Sequence, residues 1–347
     1  MPGAAEQQIP LPVIAGPTAG GKTAVAVELA LLLPTGGEII SADSMQIYRG
    51  MDIGTAKPLP TERRGVPHHL LDLIDPTGPE GPDRFTVDDW LSAAEKLVQE
   101  IRERGKVPIV AGGTNLYLQA FLYGMFKGPE PDPQLRKELE TQETEQLREQ
   151  LCQTDPAAAE RIHRNDRRRT IRALEVYRLT GQRISDLQKQ WDNTQSRPNT
   201  RLFILQWSAE QINRRINRRV KEMMESGLLE EARRLHEAGL LRGQAGEALG
   251  YKQLLTHLRG KCTLEEATEK IKIETRRFAR NQRTWLRRLS ATRDAVILPM
   301  EEGESSPQKT AQVIARHILS KETPSETGSE DPQPRYEGEQ GTPGEQL

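Results

Sequence analysis

Aromatic residues make up only 4% of this 347-residue chain, cysteines number two, and no apolar run is long enough to cross a membrane. Each scarcity excludes something. With five Phe, six Tyr and four Trp, stacking platforms are few, so contact with a large partner must rest on charge. Cys152 and Cys262 lie far apart and lack metal-ligand spacing, which fits a reducing cytosol and leaves neither with a chemical role. The longest apolar run, AVAVELALLL at 24–33, is short and carries Glu28, and the first ten residues have neither the basic nor the apolar region of a secretory signal. A cytoplasmic monomer without a membrane partner is expected.

Charge, by contrast, is abundant: 29% of residues are Asp, Glu, Lys or Arg. Ten acidic and four basic side chains fall within 301–347, so the formal charge of −1 divides into −6 there and +5 over 1–300. The near-neutral total hides a basic body. The stretch 320–347 is rich in Pro, Gly, Glu and Ser and almost empty of apolar residues. Burial cannot offset its ordering entropy, and a disordered acidic tail is expected.

Short apolar runs at 11–15, 38–41, 107–110, 201–206 and 295–298 read as strands separated by helical stretches, the first two helices covering 22–33 and the segment after Thr114. This alternation predicts an α/β fold, a P-loop NTPase-like parallel sheet flanked by helices. Between 128 and 198, bounded by PEPDP and SRPN, the sequence is strand-free and highly charged, which predicts a helical insertion domain. The expected division is a first part of the core at 1–127, the insertion at 128–198, completion of the core by arginine-rich helices at 199–319, and the tail.

Gly16-Pro17-Thr18-Ala19-Gly20-Gly21-Lys22-Thr23 matches G-x-x-x-x-G-K-[ST] in full, directly after a strand and before a helix. Glycines let backbone N–H groups converge on a phosphate oxygen, the helix N-terminus adds partial positive charge, Lys22 neutralises the distal phosphate, and the Thr23 hydroxyl ligates Mg²⁺. The motif is that of ATP-binding proteins, yet no apolar strand ends in the Mg²⁺-binding Asp of an ordinary ATPase. The best acidic residue after a strand is Asp43, either metal ligand or general base in the crevice that holds the phosphates, or a cap on the next helix.

The loop at 16–23 is followed by SADSMQIYRGMDIGTAKP at 41–58, PHHLLD at 67–72, VAGGTNLYLQA at 110–120, RIHRNDRRRTIRALEVY at 161–177 and GYKQ at 250–253. Together these blocks resemble the bacterial tRNA dimethylallyltransferase (tRNA isopentenyltransferase) family, in the family's order and from 16 to about 288. The resemblance implies that dimethylallyl diphosphate, not ATP, occupies the loop, and that the acceptor is the exocyclic amine of the adenosine 3′ to the anticodon. It makes Asp43 the general base and Thr114 a residue that helps hold the reacting groups, alongside Lys22 and Thr23. It places Asp43, Ser44, Met45, Gln46 and Thr114 against the tRNA anticodon stem-loop, with Arg136, Arg168, Arg169, Thr170, Ile171, Arg172, Gly250, Tyr251 and Lys252. Two departures are visible: Gly20 stands where the family often has Ser, and Glu247 lies in a segment expected to approach RNA.

An RNA substrate needs cations that hold the backbone on either side of a splayed base. Eight arginines fall between 161 and 183, Arg214, Arg215, Arg218 and Arg219 form a second group, and Arg276, Arg280, Arg283 and Arg287 share one helical face. Any one such run can be a solvated face. Either Arg215 or Arg219 is expected to meet the diphosphate, because Lys22 alone leaves negative charge unpaired. His68 and His69, adjacent on an extended segment, point opposite ways and read as structural or RNA-contacting. Trp90, Trp191 and Trp207 read as core anchors, and Trp285 as the one candidate for stacking. Competing readings are a P-loop small-molecule kinase or adenylate prenyltransferase, which need no arginine-rich helical insertion, and an NTP-dependent RNA-binding switch, which requires no allylic donor.

Overall fold

The computed structural model describes residues 8–77, 85–125, 128–188, 197–291 and 295–320. Trp191 and residues 321–347 of the acidic tail lie outside them. The chain runs β1 (Leu11–Ala15), α1 (Lys22–Leu32), β2 (Gly37–Ala42), α2 (Pro60–Arg63), β3 (His68–His69), α3 (Val87–Glu103), β4 (Val107–Gly112) and α4 (Asn115–Tyr123). Five helices follow: α5 (Pro133–Thr141), α6 (Thr144–Thr154), α7 (Pro156–Arg161), α8 (Arg167–Thr180) and α9 (Ile184–Leu187). It continues through β5 (Thr200–Trp207), α10 (Ala209–Glu225), α11 (Leu228–Glu237), α12 (Gly243–Gly246), α13 (Tyr251–Leu258), α14 (Leu264–Ser290), β6 (Ala295–Met300) and α15 (Pro307–Leu319).

The six strands form one parallel sheet in the order β3-β2-β4-β1-β5-β6. Each expected strand is present at its expected place, the later four extended by one or two residues where ladder bonding outlasts the apolar run. The two-residue β3 carries no apolar signal; it exists because His68 and His69 pair with Ile39 and Ile40. Prolines inside the strands sit where a ladder partner is missing on one side. Pairing of β1 with β4 starts only at Val13, past Pro12, pairing of β4 with β1 starts at Val110, past Pro108, and Pro299 lies on the edge strand β6.

Side chains of β1 divide by the two-residue strand period. Ile14 joins one apolar cluster with α1, α10, α11 and α13, while Leu11, Val13 and Ala15 join another with α3 and α4. Trp90 anchors the second, fully buried, stacked on Tyr117 at 4.7 Å between ring centroids and donating its indole N–H to Ser41 O at 2.8 Å. The connection leaving β1 runs to β2 on one side and that leaving the neighbouring β4 runs to β5 on the other, so the direction of winding reverses between them and their C-terminal ends flank a crevice.

Helices α5–α9 have a small apolar core of their own, built on Leu139, Leu147, Leu151, Ile171, Leu174 and Val176. So charged a sequence forms helices because its starts are capped. Asp132 accepts the N–H groups of Gln134 and Leu135, Asp155 that of Ala158, and Asp166 that of Arg169. Where the chain returns, Arg197 donates its N–H to Leu122 O and lies over the Phe121 ring at 4.5 Å.

Candidate active site

The carbonyls of the loop after β1 are engaged by its own lysine and by two residues from β5 and α10. Pro17 O accepts from Lys22 Nζ at 2.8 Å, Ala19 O from Arg215 Nε at 2.8 Å, and Gly20 O from Trp207 Nε1 at 3.0 Å. Arg215 also stacks on Trp207, 4.4 Å from the ring centroid. With its carbonyls tied outward, the loop can turn amides toward an anion at the start of α1. The turn needs left-handed backbone at Ala19 (φ 58) and Gly21 (φ 83). At Gly20 a Cβ would lie 2.8 Å from Pro17 O. The Thr23 hydroxyl engages no protein group among the described residues.

Asp43 stands one residue past β2, and the chain continues in turns rather than a helix, so Asp43 caps none. Its Oδ1 instead accepts the Met45 N–H at 2.9 Å. Thr114, the residue before α4, ties this turn down: its N–H donates to Ala42 O at 3.1 Å and its Oγ1 accepts the Ser44 N–H at 2.9 Å. Both amide hydrogens of Gln46 are in use, donated to Thr55 O and Ala56 O at 3.2 Å, while its Oε1 accepts from Ser41 Oγ. Gln46 therefore shapes the turn more than it offers donors to a ligand.

Lys22, Asp43 and Arg219 form one electrostatic group. Burial pushes the Lys22 ammonium down to about 8, opposed by Asp43 and reinforced by Arg219. Burial also lowers Arg219, with Asp43 again opposing. Arg215 is committed to Ala19 O and Trp207, whereas Arg219 makes no hydrogen bond or ion pair among the described residues.

Three side chains that no motif singled out hold this site together. Gln282 of α14, 3% exposed, accepts the Thr18 N–H at 2.8 Å and donates to Gly113 O at 2.8 Å. Glu231 of α11 accepts the N–H groups of Asp52, Ile53 and Gly54 and the Tyr251 hydroxyl. Lys57 Nζ, also buried, donates to Tyr48 O, Asp52 and Asp72, joining the blocks at 41–58 and 67–72. All three are polar residues of kinds usually found on surfaces. Only the long matched run around Lys57 hinted at any of them.

The residues expected at tRNA divide sharply. Arg136 and Arg172 both pair with the buried Glu175, at 2.8 and 2.6 Å, and Arg172 also donates to Pro129 O. Thr170 and Ile171 are buried, the first bonded to Asp166 O and the second in the core of α5–α9. Tyr251 is fully buried, and Gly250 turns the chain at φ 94. A contiguous stretch cannot all face a ligand, because successive residues point around the whole circumference of a helix and some face inward. Arg168 and Arg169 are exposed, Arg169 lying 3.4 Å from Asp166. Lys252 is exposed and pairs with Glu247 at 2.6 Å, which neutralises the acidic residue in that segment.

The three arginine clusters also part company. On α10, Arg214 and Arg218 pair with Glu210, Glu222 and Glu302, and on α8 Arg167 donates to Glu140 O, Gln142 O and Thr144. On α14, Arg276 bonds Asn217, but Arg277, Arg280, Arg283, Arg287 and Arg288 form no ion pair among the described residues. Trp285 packs half-buried on the cluster around α3 and α4. His68 bonds Val66 O, and His69 bonds Glu38 at 2.7 Å, so both serve the sheet edge. Among the described residues, no group of three His, Cys, Asp or Glu could hold a metal ion, and no helix is long and apolar enough to cross a membrane.

The family model described as IPP transferase matches residues 46–289, and the isopentenyl transferase model matches 9–76. A tRNA dimethylallyltransferase of Shouchella clausii is 45% identical over 305 residues, covering 86% of this chain and 94% of that protein. One from Carboxydothermus hydrogenoformans is 43% identical over 310 residues, with 87% and 95% covered. Among solved structures, a full-length tRNA isopentenylpyrophosphate transferase from Bacillus halodurans is similar with TM-score 0.65 and 39% identity, covering 90% of this chain and 96% of that one. A eukaryotic dimethylallyltransferase described as acting on tRNA has TM-score 0.76 at 27% identity, with 90% and 80% covered. With family models matching 9–76 and 46–289 and relatives 43–45% identical over 86–87% of it, the chain belongs to the tRNA dimethylallyltransferase family.

Proposed function

We propose that this protein transfers a dimethylallyl group from dimethylallyl diphosphate to the exocyclic amine of the adenosine 3′ to the anticodon in tRNA, releasing diphosphate. The observation that carries this reading is the Lys22–Asp43–Arg219 group: two cations beside a phosphate loop, with a carboxylate among them. The cations and loop amides stabilise charge on the departing diphosphate while Asp43 takes the proton from the attacking amine. An allylic carbon tolerates positive charge, so a modest nucleophile suffices. Of the two candidate arginines, Arg219 meets the diphosphate and Arg215 holds the loop.

Mg²⁺ fits this site as an ion carried mainly by substrate and water, since no carboxylate cage is gathered among the described residues. The Thr23 hydroxyl would hold it, and when bound it supplies positive charge to diphosphate oxygens. The acceptor RNA docks on the unpaired arginine face of α14, with Arg168, Arg169 and Lys252 as outlying cations. Ser44, Met45 and Gln46 line the acceptor side through the turn that Thr114 fixes. A tRNA substrate supports a cytoplasmic location, and a monomer is the proposed state. Domains divide at 128 and 198, the insertion forming a separate body beside the anticodon stem-loop.

The test is incubation of the full chain with unmodified tRNA, dimethylallyl diphosphate and Mg²⁺, followed by nucleoside mass analysis. One isoprene unit gained on adenosine is the expected result. No gain, from protein that binds both substrates, overturns the reading. Nucleotide hydrolysis in place of transfer would favour a switch instead.

A further inference from the structure

Among the described residues, helix α14 hydrogen-bonds the donor loop and the turn after β4 through Gln282. Its exposed arginines face away from the core, while Gln282, on the opposite side of the same turns, is buried between the donor loop and the turn after β4. The Gln282 carboxamide makes one bond to each: Oε1 accepts the Thr18 N–H at 2.8 Å, and Nε2 donates to Gly113 O at 2.8 Å. Thr18 belongs to the loop that holds the leaving group. Gly113 precedes Thr114, which fixes the Asp43–Ser44 turn on the acceptor side.

Resting on the proposed transfer reaction, we infer that Gln282 is a positioning residue that sets the spacing between the donor loop and the acceptor turn. The chemistry of the bridge requires an amide. A carboxylate at this position would accept from Thr18 but set an oxygen against Gly113 O, and an alkyl side chain would satisfy neither group. Asparagine is one methylene too short to span both. Gly113 is part of the same device, since a Cβ there would lie 2.7 Å from Gln282 Nε2 and 3.3 Å from Lys22 Nζ. The bridge also joins the RNA-facing helix to the donor loop through one rigid connection. Reacting centres gain most of their rate from being held at a fixed approach, and a small error in spacing is costly.

The experiment compares wild type with Q282L, Q282E and Q282N in single-turnover transfer at saturating dimethylallyl diphosphate and anticodon stem-loop RNA. Inorganic diphosphate affinity, RNA affinity and thermal stability are measured on the same preparations. The saturated rate of Q282L is expected to fall at least about tenfold while both affinities stay within about threefold of wild type. Q282E keeps the shape and the Thr18 contact, so it folds where Q282L does not, and its saturated rate falls as well. A folded Q282L or Q282E that matches the wild-type saturated rate overturns the role, as does a loss confined to the affinities. A wild-type protein that binds both substrates and transfers nothing overturns the functional reading itself, and this role with it.

Discussion

Glu231 and Tyr251 meet at 2.5 Å, carboxylate to phenol, directly beneath the backbone of Asp52, Ile53 and Gly54. The same carboxylate accepts all three N–H groups of that loop, and the Tyr251 ring fills the space a side chain at residue 54 would need. A loop without regular secondary structure is thereby made rigid from α11 and α13. Through Thr55 O and Ala56 O it sets the Gln46 amide and hence the turn beside Asp43. Burial and the neighbouring Glu231 charge both push the Tyr251 hydroxyl far above the usual phenol range, so it remains a donor.

E231A should destabilise the fold by about 3–5 kcal/mol, because it leaves three loop donors and a buried phenol without an acceptor. Y251F should cost about 1.5–3 kcal/mol, the worth of a hydrogen bond to a charged group. G54A should be worse tolerated than either alanine's size or helix propensity would suggest, since its methyl collides with the Tyr251 ring. Urea denaturation midpoints rank the three.

Asp43→Asn removes the proton acceptor while keeping the oxygen that the Met45 N–H uses. Its single-turnover transfer rate is expected to drop roughly 10²- to 10⁴-fold, with diphosphate and RNA affinities little changed. Rapid-quench transfer assays beside equilibrium binding check this. A rate equal to wild type removes Asp43 from the chemistry.

R219A should weaken diphosphate binding by about ten- to a hundredfold, corresponding to a charge-assisted hydrogen bond of roughly 1.5–3 kcal/mol, with thermal stability nearly intact. R215A should behave in the opposite sense and lower stability, because it uncaps Ala19 O and strips the cation from Trp207. Calorimetric titration with inorganic diphosphate and thermal melts on both variants separate the roles.

The Lys22 ammonium is charged below about 8 and loses its proton as pH rises through that value, its burial having lowered it from 10.5. Diphosphate prefers the charged form, so its affinity should be flat toward neutral pH and decline above about 8 by up to about tenfold per pH unit. Titration with dimethylallyl diphosphate across pH 7–9.5 tests the sign. An affinity that holds steady to pH 9.5 would mean the free ammonium is far less depressed.

R280A/R287A should lower RNA affinity at low salt and flatten the slope of log K against log salt by roughly 0.7–0.9 per lost phosphate contact. R167A, by contrast, removes a side chain bonded to Glu140 O, Gln142 O and Thr144. It should reduce stability and leave the salt slope alone. Binding of anticodon stem-loop RNA at four salt concentrations distinguishes the two.

The local sequence was enough to determine five of the six strands and the phosphate loop and to single out Asp43, though β3 and the Asp43 turn emerged only in the fold. Their signals are short-range: an apolar run between breakers, glycines before a lysine, a carboxylate at a strand end. The block pattern from 16 to 288 was enough to determine the family, because several long runs in order carry far more information than any one motif. What tertiary structure decided is which polar side chains face inward. Arg136 and Arg172, expected at RNA, pair with Glu175, Tyr251 is buried on Glu231, and Arg215 bonds Ala19 O while Arg219 makes no hydrogen bond or ion pair among the described residues. Gln282 carries no sequence signal, since an amide among arginines reads as solvated surface. Its two partners lie 264 and 169 residues away along the chain, and only the folded chain brings them within hydrogen-bonding distance.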